Sequence, residues 1–334
     1  MKNYFYSILA LCALTLGFTA CSEDDLDDKS VIVDSQKEQN EFDKWIFDNY
    51  IKEYNIDFKY RYEDIESDMN YYLVPADYNL SIVTAKLVKH LGLEPYDEIT
   101  GSKDFIRKYY PKMIQLIGSG AYRNNGTFVL GTAEGGLKIT LYFINNLQLD
   151  PAYLNEYYFH TMHHEFAHIL HQTKPYSTDF DQITGGDYVT DSWSDDFIDI
   201  EDYTEYVPGK SDPDENLSLN SGFITSYAGS EPNEDFVELI STYITNTPQY
   251  WNNVLQRAAW AWEPNPAFNA SAAEDYQNNP KYVQVASNGA ALLQAKFDIV
   301  YNYMMDKWNI DLNELRDVIL RRQGEIGQLE LDKL

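Results

Sequence analysis

Residues 163–172 read HHEFAHILHQ and hold four of the chain's six histidines. Inside them lies the pattern H-E-x-x-H, at His164, Glu165 and His168. On a helix, residues four apart share a face, so two imidazoles converge on one ion while Glu165 stands beside it, within reach of a coordinated water. Nothing structural needs that trio. The stretch must therefore be helical, and another element must complete the coordination, because catalytic zinc takes three protein ligands and leaves its fourth position open.

The neighbouring histidines are weaker candidates. His160 and His171 fall on roughly the same stripe, one turn before and after the pair, and His163 adjoins His164. Two helical turns cannot wrap a tetrahedral ion, so all three read as packing or supporting residues. His90 stands alone and reads as structural.

Several positions could supply the third ligand. A metzincin would need glycine where this chain has His171 and histidine where it has Lys174, which excludes that class. What remains is an aspartate in the following loop, Asp187 or Asp191, or a glutamate on a later helix. The stretch SYAGSEPNEDFVELISTYI, residues 226–244, reads as such a helix, with Ser230 as N-cap, Pro232 in the first turn, and Glu234 and Glu238 four apart on one face. One carboxylate can ligate while the other fixes an imidazole.

Hydrophobic periodicity sets the frame around these motifs. Helical spacing appears over 38–54, with Phe42, Trp45, Ile46, Tyr50 and Ile51 on one face, and again near 80–92 and 103–109. KMIQLIGSG reads as a buried strand, and TFVLGTAEGGLKITLYFIN as two strands joined by the hairpin signal AEGG. In the second of these, Leu137 to Ile144, the residues Leu137, Ile139, Leu141 and Phe143 alternate onto one face. The motif helix should start near Pro151 or Leu154 and run to about Gln172, with Pro175 ending it. Residues 173–226 are loop-rich, and their acidic part, 187–203, reads as a solvated loop; bound calcium is the alternative, although the spacing matches no helix-loop-helix calcium loop. Helices return near 232–246, 250–260, 288–306 and 311–323. The fold class is α+β, with the sheet mostly before residue 145 and a mainly helical C-terminal part.

The N-terminus reads as an address. Lys2 and the apolar run Tyr4 to Phe18 form an export signal over residues 1–20, and GFTAC at its end resembles the lipobox of bacterial lipoproteins, which places the lipid on Cys21. Residues 21–36 are an acidic tether, and 37–334 the folded domain. Loss of Cys12 with the signal leaves only Cys21, so no disulfide forms and no cysteine nucleophile remains. No G-x-S-x-G occurs, which disfavours a serine hydrolase. A formal net charge of −28 argues against nucleic acid and anionic membrane surfaces as partners.

HEFAH with the downstream NEDFVE resembles the gluzincins, the class of thermolysin and anthrax lethal factor. The resemblance implies Glu234 as third ligand to one catalytic Zn²⁺, Glu238 as the acidic residue supporting an imidazole, and Tyr227, in SYAG, as a group facing the metal that steadies the oxyanion. It also implies that Glu165 is the general base, that the substrate is a peptide or protein, and that the strand from Leu137 to Ile144 is the edge beside the motif helix that pairs an extended peptide. The gap from His168 to Glu234 is longer than in thermolysin, and no second catalytic histidine follows the glutamate. Taken in order, lipobox, acidic tether, HHEFAHILHQ and NEDFVE look like the zinc metallopeptidase lipoproteins associated with outer-membrane nutrient-import systems. That implies a lipid-anchored protein of the outer membrane, at the cell surface. The rival reading is a non-catalytic glycan- or peptide-binding surface lipoprotein, for which 28 tyrosines and six tryptophans could supply stacking platforms.

Overall fold

Four short strands assemble into one small mixed sheet. In this computed structural model the described residues are 39–63, 65, 70–122, 128–129, 131–134 and 137–334. The signal segment, Cys21 and the tether lie outside them, as do Gly135 and Gly136 of the AEGG turn. The chain divides into two units at Asn40, and the described helices and strands all belong to the unit Glu41–Leu334. Among the described residues no helix is long and apolar enough to cross a membrane.

The strands are β1 (Asp57–Lys59), β2 (Met113–Leu116), the two-residue pair β3 (Ala121–Tyr122) and β4 (Phe128–Val129), then β5 (Gly131–Glu134) and β6 (Lys138–Leu141). The main sheet has the order β1-β2-β6-β5; β1, β2 and β6 run parallel and β5 is antiparallel to β6. Two expectations need correction. The strand expected over Leu137 to Ile144 covers only Lys138–Leu141, because Phe143 turns into the left-handed region at φ 65° and ends the extended run. That strand is also interior rather than an edge. The hairpin folds β5 to its outside while β2 pairs on its other side, and it is β5 that packs beside the motif helix. Burial follows the topology: Lys138, Ile139, Thr140 and Leu141 are all buried, whereas Leu137, beyond the strand, is 68% exposed.

The first helix, residues 41–54, buries Phe42, Ile46, Tyr50 and Tyr54. Ile51, expected on the same face, is 40% exposed, because residues Phe47–Ile51 form a wider π-type turn that shifts the buried stripe to Tyr50 and Tyr54. The motif helix spans residues 151–173. Asp150 caps it by accepting from the amides of Ala152 and Tyr153, both at 3.1 Å, and Pro151 takes the first position, where no amide is needed. At the other end Lys174 is extended, as a residue before proline prefers. Its core face carries Met162, Phe166, Ala167 and Leu170. Phe166 sits among Tyr96, Phe105 and Tyr110 with ring centroids 4.9–5.7 Å apart, burial that contributes about 1.5–3 kcal/mol for that side chain.

The second site helix, Pro232–Thr245, packs directly on the motif helix. Its first residue is Pro232, so the N-cap is Glu231 and not Ser230, whose amide instead donates to Tyr227 O in the preceding turn. Phe236 anchors it, stacked on Tyr176 at 4.0 Å and flanked by Phe180 and Tyr303. The helices Pro248–Ala258, 289–308 and Leu312–Glu325 complete the C-terminal part, together with a hairpin of β7 (Trp260–Pro264) and β8 (Tyr282–Ala286).

A buried ion pair ties the second site helix to the C-terminal helices. Lys296, 0% exposed, donates to Asp235 Oδ2 at 2.5 Å and to Gly222 O at 2.8 Å, with its ammonium 4.2 Å from the centre of the Phe223 ring. Tyr188 donates to the same carboxylate oxygen at 2.8 Å. Burial drives both groups toward their neutral forms, raising Asp235 and lowering Lys296, and each opposes that shift in the other. Such a pair stabilises only while intact, since removal of one partner strands a buried charge at a cost of about 3–5 kcal/mol. Asp235 adjoins Glu234, so the pair also fixes the start of the helix that completes the site.

Candidate metal centre

Two helices bring three ligand atoms to one point. His164 Nε2 and His168 Nε2 lie 3.1 Å apart, and Glu234 Oε2 lies 3.0 Å from the first and 3.2 Å from the second. A tetrahedral zinc ion with bonds of about 2.0–2.1 Å separates its ligand atoms by roughly 3.3 Å. The triangle therefore matches one face of such a tetrahedron. Two imidazoles and a carboxylate are also the donor types zinc takes in an open site. Neither Asp187 nor Asp191 belongs to any grouping of potential ligands among the described residues.

His160, His164 and Glu238 form a second grouping. Its ligand atoms are already engaged with one another. Glu238 is buried; its Oε1 lies 2.7 Å from His164 Nδ1 and 2.9 Å from His160 Nε2, and its Oε2 accepts from Thr225 Oγ1 at 2.7 Å. An ionised carboxylate only accepts, so both imidazole nitrogens facing it carry protons. In the neutral form of His164 this leaves the lone pair on Nε2, which points into the first triangle. Glu238 thus fixes the ring and tautomer of a candidate ligand.

The carboxylates around the triangle also favour positive charge there. Burial opposes a charged His164, but Glu234, Glu238 and Glu165 outweigh it and hold the imidazole up at about 10. Burial also opposes ionisation of Glu234, and His164 and His168 overcome this and pull it down to about 2. Zinc held by His164, His168 and Glu234 would supply the positive charge that these carboxylates favour, with both imidazoles neutral.

The triangle opens onto a cleft of about 320 Å³, lined among others by Glu165, Gln172, Tyr227, Glu231 and Asn233. Glu165, half-buried on the motif helix, borders the open side. Tyr227, 37% exposed, sits in a turn of 3₁₀ helix with its ring 6.1 Å from that of His164 and 5.2 Å from that of Trp193. Burial and then the nearby Glu234 push its hydroxyl well up, so it stays protonated and can donate. Asp199, in the acidic loop, holds the start of that turn by accepting from Ser226 N and from Ser226 Oγ at 2.7 Å.

The remaining histidines divide by partner. His163 is buried against the Tyr96 hydroxyl at 3.0 Å, and burial pushes it down to about 3. His90 lies against Arg322, 3.1 Å from its carbonyl oxygen. His171 lines the cleft and meets His168. Sequence reasoning missed Thr225, Asp199 and Trp193, which act through side chains brought together from separate loops and carry no periodic signal.

No curated protein matches the chain. A crystal structure of a protein from Bacteroides caccae, described as "a putative zinc-binding metallo-peptidase", is 42% identical, covers 91% of this chain and 99% of its own, and superposes with a TM-score of 0.66. The family model described as "Putative zinc-binding metallo-peptidase" matches residues 35–313. Because that match spans most of the sequence, including both site helices, the chain belongs to this metallo-peptidase family.

Proposed function

We propose that the protein is a zinc-dependent peptidase of the gluzincin type, with one zinc ion held by His164, His168 and Glu234. The observation that supports it best is the triangle of 3.0–3.2 Å edges open to a cleft that Glu165 borders. Zinc held there supplies Lewis-acid polarisation of a carbonyl and lowers the pKa of water toward about 7. Glu165 accepts the proton of the attacking water on its carboxylate and passes it to the leaving amine. Tyr227 donates its hydroxyl hydrogen to the developing oxyanion. Glu238 keeps His164 in the ligating tautomer, and β5 offers the edge along which an extended peptide pairs. The cleft lining includes Glu165, Glu231 and Glu234 and no lysine or arginine among the described residues, which suits neutral or cationic peptides.

The purified domain is expected to hold one zinc per chain and to cleave members of an unbiased peptide library. Chelation should stop cleavage and added zinc restore it. Zinc binding without cleavage of any peptide would favour a binding protein instead. The anchor belongs to the same reading: GFTAC supports lipidation at Cys21, and the ordered set of lipobox, acidic tether, HHEFAHILHQ and NEDFVE supports attachment to the outer membrane at the cell surface, beside a nutrient-import complex. Mass analysis of the membrane-extracted protein should find an acylated N-terminal cysteine, and an unmodified start further along the chain would end that part of the proposal.

A further inference from the structure

The two candidate ligand imidazoles are supported by chemically different groups. His164 Nδ1 faces the carboxylate of Glu238, whereas His168 Nδ1 faces another imidazole, His171 Nε2, at 3.0 Å. For His168 Nε2 to offer zinc a lone pair, its Nδ1 must carry the proton. His171 Nε2 must then accept that proton's hydrogen bond, so His171 is neutral and carries its own proton on Nδ1.

His171 has little freedom to do otherwise. It is buried, one turn after His168 on the same helix, with ring centroids 5.6 Å from Tyr176 and 6.2 Å from Phe236. Tyr176 is stacked on Phe236, and its hydroxyl donates to Asn233 Oδ1 at 3.0 Å, beside Glu234. The second site helix therefore braces His171, and His171 in turn braces His168. From this geometry we infer that His171 is a positioning residue, whose Nε2 sets the ring orientation and tautomer of His168. This role rests on zinc being the ion held by His164, His168 and Glu234.

The test compares His171→Phe, which keeps an aromatic ring and removes the acceptor, with His171→Gln, whose amide oxygen can reach the place of Nε2. Zinc affinity is read by chelator competition, and ligand geometry by the visible spectrum of the cobalt-substituted protein. His171→Phe should weaken zinc about ten- to a hundredfold and shift the cobalt bands, as loss of a supporting hydrogen bond does. His171→Gln should restore most of the affinity and the wild-type spectrum. Equal weakening in both variants overturns the inference, since packing of the ring would then be all that matters. Unchanged affinity and spectrum in His171→Phe overturn it as well. Wild type and Glu234→Ala are measured alongside: if wild type takes up no zinc, the zinc reading itself fails, an outcome distinct from both.

Discussion

Glu165→Gln is expected to keep its zinc and lose hydrolysis, with kcat/KM down by roughly 10²–10⁴, the usual contribution of a positioned general base. The amide is nearly isosteric with the carboxylate but cannot accept the water's proton. His164, His168 and Glu234 are untouched by the change, and Glu238 and His171 still hold the two imidazoles. Zinc content and turnover of the best library peptide, measured on the same preparation, decide the matter. Cleavage at the wild-type rate would remove Glu165 from the role of base and leave the metal site standing.

Glu234→Ala should abolish tight zinc binding, because it deletes one corner of a triangle whose other two corners come from a single helix. Glu238→Ala should weaken zinc less, by about ten- to a hundredfold, since His164 keeps its ligating nitrogen and loses only the group that orients it. Asp187→Ala and Asp191→Ala should leave zinc bound. The order of the four variants in a chelator competition is the readout. An aspartate variant that loses metal while Glu234→Ala retains it would replace the glutamate by an aspartate ligand and discard the gluzincin assignment. Melting temperatures of the metal-free proteins separate these effects from unfolding, which matters most for Glu238, whose removal leaves the buried His164 and the half-buried His160 and Thr225 without their acceptor.

The convergence of His164 and His168 was legible in the sequence because it is local: the turn of a helix alone puts residues four apart on one face. The same holds for the helix limits at Pro151 and Pro175, and for Glu234 and Glu238, which lie one turn apart on the later helix and face the motif helix together. The tertiary structure decided whatever depends on which distant segments meet. Alternation in Leu137 to Ile144 could show a strand but not its neighbours, and it is β5 outside and β2 inside that make Lys138–Leu141 interior. Periodicity likewise gave no warning of the wide turn that moves Ile51 outward, or of Lys296 reaching Asp235 and Gly222 from another helix. Nor could the sequence apportion the supporting histidines, because the role of each imidazole is set by what faces its second nitrogen. His163 meets a tyrosine hydroxyl, His160 a carboxylate, and His171 the ring of His168. Helical spacing is a property of consecutive residues, whereas a hydrogen-bond partner is a property of the packed chain.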